Sequence, residues 1–418
     1  MNHINTKVLL GLGAATGISL IAAVLIGLSQ QPVTDNAGGR AYVIEGLQTR
    51  LNDIKSIGLH IAEDKAAVTL ANDGQGWRVR EKDDYPADMP KIKGLLLTLS
   101  NVVLFEPKTS VEEHYPELGV EDIKRPDAKG VLLTLEGLSQ PAQVIIGNAN
   151  SRNDGVFVRK PGDKQSWLTQ GRLAPDRDPA KWLDTALADI GADRIAEITL
   201  AKPGQPKAHL IKARDGGARF RVDGVPAGRE AVDVNALQGL ASTLSGLVLE
   251  DVASAQKQSA PDDSQLLKAH YRCFDGLQVD IAAWAQAGKD YARLRASLDT
   301  AQAETFIQSE QAKAKADYDA KQKAAAGKNQ PEQKAPGETP LAVGDPAKFH
   351  QQKLEALQAE ADKLNQRWQG WVYVIPAYKY ANMDKSLNDV LKPLAATAKP
   401  AAVKPPPTEP KKPAGKNR

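Results

Sequence analysis

The chain has a single cysteine, Cys273, in 418 residues. That count excludes an intramolecular disulfide and a multi-cysteine zinc site. Histidine is scarce too: His3, His60, His114, His209, His270 and His350 form no H-x-x-x-H pair, and none has a carboxylate or cysteine at metal-ligand spacing. Charge of one sign is lacking, with 54 basic against 51 acidic residues and a formal net charge of +3, too small a surplus to point to nucleic acid. There is no G-x-S-x-G elbow, no S-x-x-K in a suitable context and no P-loop, so acyl transfer and nucleotide hydrolysis have no motif behind them. The oxygen-rich stretch NANSRNDG (148–155) has one carboxylate, Asp154, and no closing glutamate, and reads as a turn rather than a calcium loop. Asp83-Asp84 and Asp262-Asp263 flank prolines in polar stretches and read as loops. These absences lead us to expect a protein that is not an enzyme, with no cofactor and no bound metal.

What is present begins with one uncharged run, VLLGLGAATGISLIAAVLIGL, from Val8 to Leu28. As a helix it measures about 32 Å, the thickness of a bilayer core. It exceeds the apolar stretch of a signal peptide and no A-x-A site follows, so an uncleaved anchor is expected. Lys7 precedes the span and Asp35 follows it. The positive-inside rule then leaves residues 1–7 in the cytoplasm and the bulk of the chain in the periplasm of a bacterium, on the inner membrane. Gly11, Gly13 and Gly17 are spaced G-x-G-x-x-x-G with no preceding strand, which is not a dinucleotide fingerprint. Gly13 and Gly17 form G-x-x-x-G, a surface for close packing of a second transmembrane helix. A linker (29–53) follows.

The outer region contains an apparent duplication, residues 54–191 and 192–392. Ile57–Val79 and Ile198–Val222 share an alternating strand, a polar turn, a second strand, a D-G turn and a third strand. Next, ADMPKIKGLLLTLSNVVLFE matches VDVNALQGLASTLSGLVLED, with Asp88 and Asp233 as N-caps. Met89, Ile92, Leu95, Leu99 and Val102 pair with Val234, Leu237, Leu240, Leu244 and Leu247, one buried helical face in each copy. Val131, Leu133 and Leu135 then alternate as Leu277, Val279 and Ile281 do. GVFVRK at Gly155 and GWVYVI at Gly370 continue the match, as do WLDTAL at Trp182 and SLNDVL at Ser386. This alignment places an insertion in the second copy where the first has only GNANSRNDG.

The insertion, 299–369, reads as a helical hairpin. Thr300 to Ala326 and Pro346 to Gln369 are rich in helix formers, and Gly327 to Pro346 carries the prolines and glycines of a break. Leu354, Leu357, Ala361, Leu364 and Trp368 recur at coiled-coil spacing. Leu354, Leu357, Leu364 and Trp368 are the candidate partner-binding residues. Between Ala301 and Gln369 ten basic residues balance ten acidic ones, which disfavours an anionic membrane surface as the target. The segment 393–418 is Pro- and Lys-rich and reads as a disordered tail.

An amino-terminal span, strand sets with a D-G-x-W type turn, and an N-capped helix resemble the bacterial family catalogued as domain of unknown function 4340. The segments that carry the resemblance are DGQGWRV, PADMPKIKGLLLTLSNV, HYPELGVEDIKRP and VIIGN followed by GVFVRK. Copy two nearly lacks the HYPELGV pattern. The resemblance implies an accessory envelope protein associated with gliding-motility-type ABC transport systems, whose other subunits supply permease and ATPase, and it brings no catalytic residues with it.

The expected fold is α+β, two tandem sheet-plus-helix domains after one transmembrane helix, with the hairpin in the second. The expected function is a non-enzymatic, membrane-anchored periplasmic subunit of an ABC-type transport or envelope complex. The alternative is a periplasmic module that binds polysaccharide or lipid in a groove between the copies, with Trp77, Trp167, Trp182, Trp284 and Trp371 as platforms.

Overall fold

A computed structural model describes residues 41–152, 154–212, 219–326 and 339–392. The apolar run 8–28 with Gly13 and Gly17, and the tail 393–418, lie outside them. Among the described residues no helix is long and apolar enough to cross a membrane.

The protein is α+β with antiparallel sheets. Along the chain come β1 (Ser56–Ile61), β2 (Lys65–Asn72), β3 (Trp77–Val79), β4 (Tyr85–Pro86), helix α1 (Met89–Asn101), β5 (Val103–Pro107) and the short helix α2 (Tyr115–Leu118). They are followed by β6 (Val131–Glu136), β7 (Ala142–Ala149), β8 (Val156–Arg159), β9 (Ser166–Gln170) and β10 (Ala186–Ala188). Next are β11 (Ile195–Ala201), β12 (Ala208–Lys212), β13 (Phe220–Val222), α3 (Val234–Ala241), β14 (Leu247–Val248), β15 (Asp251–Ser254) and β16 (Leu267–Cys273). The chain continues through β17 (Leu277–Gln286), β18 (Lys289–Leu298), α4 (Thr300–Ala326), α5 (Leu341–Gly344), α6 (Pro346–Trp368), β19 (Trp371–Val374) and α7 (Ala377–Met383). Two compact units result. One holds the described residues as far as Ala186 together with Val248–Ser259 and Gly370–Val374; the other holds Leu187–Leu247, Ala260–Gln369 and the described residues from Ile375.

In the first unit nine strands run in the order β4-β3-β2-β1-β6-β7-β8-β9-β5. Alternation sets the core: Val131, Leu133 and Leu135 of β6 are buried and the residues between them are half-buried. Asp88 caps α1 by accepting the Lys91 amide at 3.0 Å, and Pro90 sits in the first turn, where no amide is missed. The buried face of α1 is Ile92, Leu96 and Leu99. Met89, expected on that face, is exposed and Leu95 half-buried, because the stripe follows Leu96 rather than Leu95. The HYPELGV stretch folds as α2 closed by Gly119 in the left-handed region (φ 69°). Tyr115 and Val120 lie on Ile145, against Leu132 and Phe157, and so cover one face of this sheet.

In the second unit β13-β12-β11-β16-β17-β18 are neighbours in that order. Asp233 caps α3 through the Asn235 amide at 2.8 Å. That helix stops at Ala241, so Leu244 and Leu247, expected on its stripe, are buried beyond its end. β17 and β18 form a long hairpin closed by Ala287 and Gly288, both at positive φ (49° and 75°), the conformation that a two-residue turn needs. The helical segment α4–α6 follows β18 and precedes β19. It falls within the expected insertion, 299–369. The NANSRNDG loop joins β7 to β8; GVFVRK lies in β8, which pairs with β7, whereas GWVYVI lies in β19, which pairs with β15.

Candidate functional site

The helical segment is built as an arm with a fixed root. At its start Asp299 accepts the Gln302 amide at 3.1 Å and Gln302 Nε2 donates to the Phe274 carbonyl at 3.0 Å. Ala303 and Ile307 are buried. Gly276, at φ +89°, lets α4 approach: a Cβ there would lie 2.6 Å from the Asp299 carbonyl oxygen and 2.8 Å from the Ala303 nitrogen. On the return helix Asn365 copies a strand, accepting the Ala296 amide and donating to the Ala296 carbonyl, both at 2.8 Å. Arg194 joins Glu360 of α6 to Asp275 of the β16–β17 turn. Those hydrogen bonds, Glu360's foremost, raise the pKa of the guanidinium.

Beyond this root α4 has no further buried side chain among the described residues. Gln311 Nε2 donates to the Pro346 carbonyl at 2.6 Å, which sets α4 beside the start of α6. From Gln311 to Ala324 no side chain of α4 is buried, about 20 Å of helix. It is accompanied there by α5, where Ala342 is buried and Leu341 is 38% exposed. The Tyr318 hydroxyl lies 3.4 Å from Thr339 Oγ1 and accepts from Gln322 Nε2 at 2.8 Å.

The four residues singled out by their spacing divide between root and arm. Trp368 is 2% exposed and its Nε1 donates to the Leu187 carbonyl at 3.2 Å, so its indole is committed inside the fold. Leu354, Leu357 and Leu364 are half-buried on α6, a helix that packs along β18 and α4. The stripe is therefore an internal seam; the free surface is the polar side of the helices and the far end at α5. Of the tryptophans proposed as platforms, Trp77, Trp182 and Trp284 are buried and Trp167 and Trp371 half-buried. Cys273 is fully buried, and burial pushes its thiol up to about 12, the opposite of an activated nucleophile. Lys379, also buried, donates to the Ser242 and Ser245 carbonyls at 2.8 and 2.6 Å just past α3, and burial lowers its pKa. It ties α7 to the end of α3. Among the described residues no three His, Cys, Asp or Glu side chains converge as a metal site. Spacing did not reveal Arg194, Asp275 and Glu360, since the three meet only through the tertiary fold.

A family model described as Domain of unknown function (DUF4340) matches residues 77–268, from β3 to the start of β16. No curated protein and no solved structure matches the chain.

Proposed function

We propose that this protein is a non-enzymatic accessory subunit of an ABC-type transport or envelope complex, anchored in the bacterial inner membrane by residues 8–28, and that the arm α4–α5 holds its partner. The observation that carries the reading is the arm's construction: a root locked by Arg194, Asn365 and Trp368, and an outer stretch of α4 without one buried side chain. Most helices owe their stability to a packed face, so an outer stretch without a buried side chain supports a role in contact with another molecule. Lys7 before the apolar run and Asp35 after it support a periplasmic position for the bulk of the chain.

A tandem duplication is part of this proposal. It is supported by the shared order β3-β2-β1-β6-β7-β8 and β13-β12-β11-β16-β17-β18, and by the pairing of β5 with β9 and of β15 with β19. Both halves also close alike, Leu183 bridging to Ala87 and Leu391 to Ala231, each just before a capped helix. The first half lacks the arm and still builds its sheet, which makes the arm an addition.

The test is affinity purification of the full chain from detergent-solubilised membranes. Because Gln311 and Pro346 touch, a short glycine-serine linker in place of residues 312–345 closes the chain and leaves the root intact. Intact protein is expected to bring down permease and ATPase subunits and the shortened protein to lose them at unchanged thermal stability. Equal recovery of the partner by both would refute the role of the arm.

A further inference from the structure

Corresponding rows on the outer faces of the two sheets end in the same residue type. His60, Leu132, Ile145 and Arg159 stand side by side across β1, β6, β7 and β8. In the second unit the row is Ala201, Lys268, Ala282 and Arg293 across β11, β16, β17 and β18. Arg159 is buried and satisfied. Its Nε donates to the Val120 carbonyl at 2.8 Å, its Nη1 to the Asp163 carbonyl at 3.0 Å, and the guanidinium stands 4.6 Å from the Tyr115 ring centre. All of that comes from the HYPELGV segment and the turn after β8.

Arg293 has no such cover. Its Nε is buried without a hydrogen-bond partner. A buried N–H left unpaired costs about 1–3 kcal/mol, a cost that an acceptor brought by a ligand would remove. Above it opens a cavity of about 580 Å³, ample for a small-molecule ligand, floored by Thr199, Ala201 and Ala282. Two carboxylates line it, and both are engaged: Asp263 pairs with Lys268, and Asp280 accepts from or faces His270 Nδ1 at 2.7 Å. Four cations line it as well: Lys268 is held by Asp263, and Lys207, Arg293 and Arg295 have no ion pair among the described residues. The adjoining row in the first sheet, Gly58, Thr134 and Gln143, is uncharged, whereas its counterpart Thr199, His270 and Asp280 leads to Arg295. Four cations against two carboxylates leave this cavity a surplus of positive charge.

We propose that this face of the second sheet binds an oxyanion-bearing ligand, phosphate or carboxylate, whose oxygens take the place at Arg293 that the Val120 carbonyl holds at Arg159, with Arg295 and Lys207 completing the charge. This site is independent of the arm.

Calorimetric titration of the full chain in detergent tests it with two probes, inorganic pyrophosphate and trigalacturonate, which separate a phosphate from a carboxylate source. At least one probe is expected to bind, with affinity falling about tenfold or more in Arg293→Gln. Lys207 and Arg295 are exposed, so the double variant Lys207→Gln/Arg295→Gln keeps the test available if Arg293→Gln does not fold. Lys124→Gln, outside the cavity, should bind as the parent does. Failure of both probes to bind, or undiminished binding by the variants, would overturn the proposal, and capture of an uncharged peptide at the cavity in place of either anion would do the same.

Discussion

Arg194 holds Glu360 across 166 residues of chain through two parallel contacts, Nη1 to Oε1 at 2.7 Å and Nη2 to Oε2 at 2.8 Å, while its Nε donates to Asp275 at 2.6 Å. One planar guanidinium therefore fastens the return helix of the arm to the β16–β17 turn, against which the start of α4 packs, a task that its fixed fork of donors suits and a lysine does not.

Arg194→Met should loosen that root. Both carboxylates then lose their charge-assisted bonds; with Glu360 38% exposed, water recovers part of the loss, and we expect a cost of about 1–3 kcal/mol in urea unfolding. Amide exchange in α6 near Glu360 should accelerate while β1 and β6 keep their protection. Unchanged exchange in α6 would show that Trp368 and Asn365 hold the root without Arg194.

Asp83 provides a pH-dependent contact inside the first unit. Its carboxylate pairs with Lys257 and accepts the Ser254 amide at 3.0 Å, and the bond from Lys257, ahead of that from Ser254, holds its pKa below the ordinary 3.8. With the folded pKa depressed, the stabilisation is present above pH 3.8 and is lost as pH falls through the folded value. Asp83→Asn keeps a residue that accepts the positive φ of 57° found there. It should cost up to about 1 kcal/mol at pH 7, since Lys257 is mostly exposed. Thermal melts of the two proteins should converge as pH falls below 3.8 and through the depressed pKa of Asp83; a constant gap would assign the effect to packing.

Local signals in the sequence reached the structure where the physics is local. Asp88 and Asp233 cap helices because a side-chain oxygen two or three residues before an amide suffices, and the arms read from composition coincide with α4 (Thr300–Ala326) and α6 (Pro346–Trp368). Strand identity failed where the signal is generic. GVFVRK and GWVYVI share a glycine and an apolar alternation, but period two marks a strand without saying which strand it is. The row that ends at Arg293 was illegible for a different reason: Lys268, Ala282 and Arg293 become neighbours only once register is set.

Gly147 marks a tightly constrained approach in the first unit. A Cβ there would fall 2.3 Å from the Leu118 carbonyl oxygen and 2.8 Å from Val120 Cγ1, so Gly147→Ala pushes the HYPELGV segment off its sheet. We expect a loss of about 2–3 kcal/mol, comparable to overpacking elsewhere in a core. Gly94, with nothing within 4 Å of its added Cβ and a place inside α1, should go the other way, Gly94→Ala gaining about 0.5–1 kcal/mol. Opposite shifts in melting temperature are the expected result, and a neutral Gly147→Ala would mean that α2 is not held against β7.

Glu121, two residues past the Gly119 turn, is 2% exposed, and neither carboxylate oxygen has a hydrogen-bond partner. Arg125, a cation on the same segment, is instead bound to Asp127 through Nε at 3.0 Å and Nη2 at 3.1 Å. The neighbouring Val120 carbonyl already serves Arg159. A buried carboxylate without a partner opposes folding, so an apolar residue of similar length should relieve it: Glu121→Met is expected to stabilise the protein by about 1–3 kcal/mol at neutral pH. Chemical denaturation measures this directly. If Glu121→Met instead destabilises, the carboxylate has a ligand or partner in the native protein, and recovery of the loss by added cations or by the intact envelope complex would identify which.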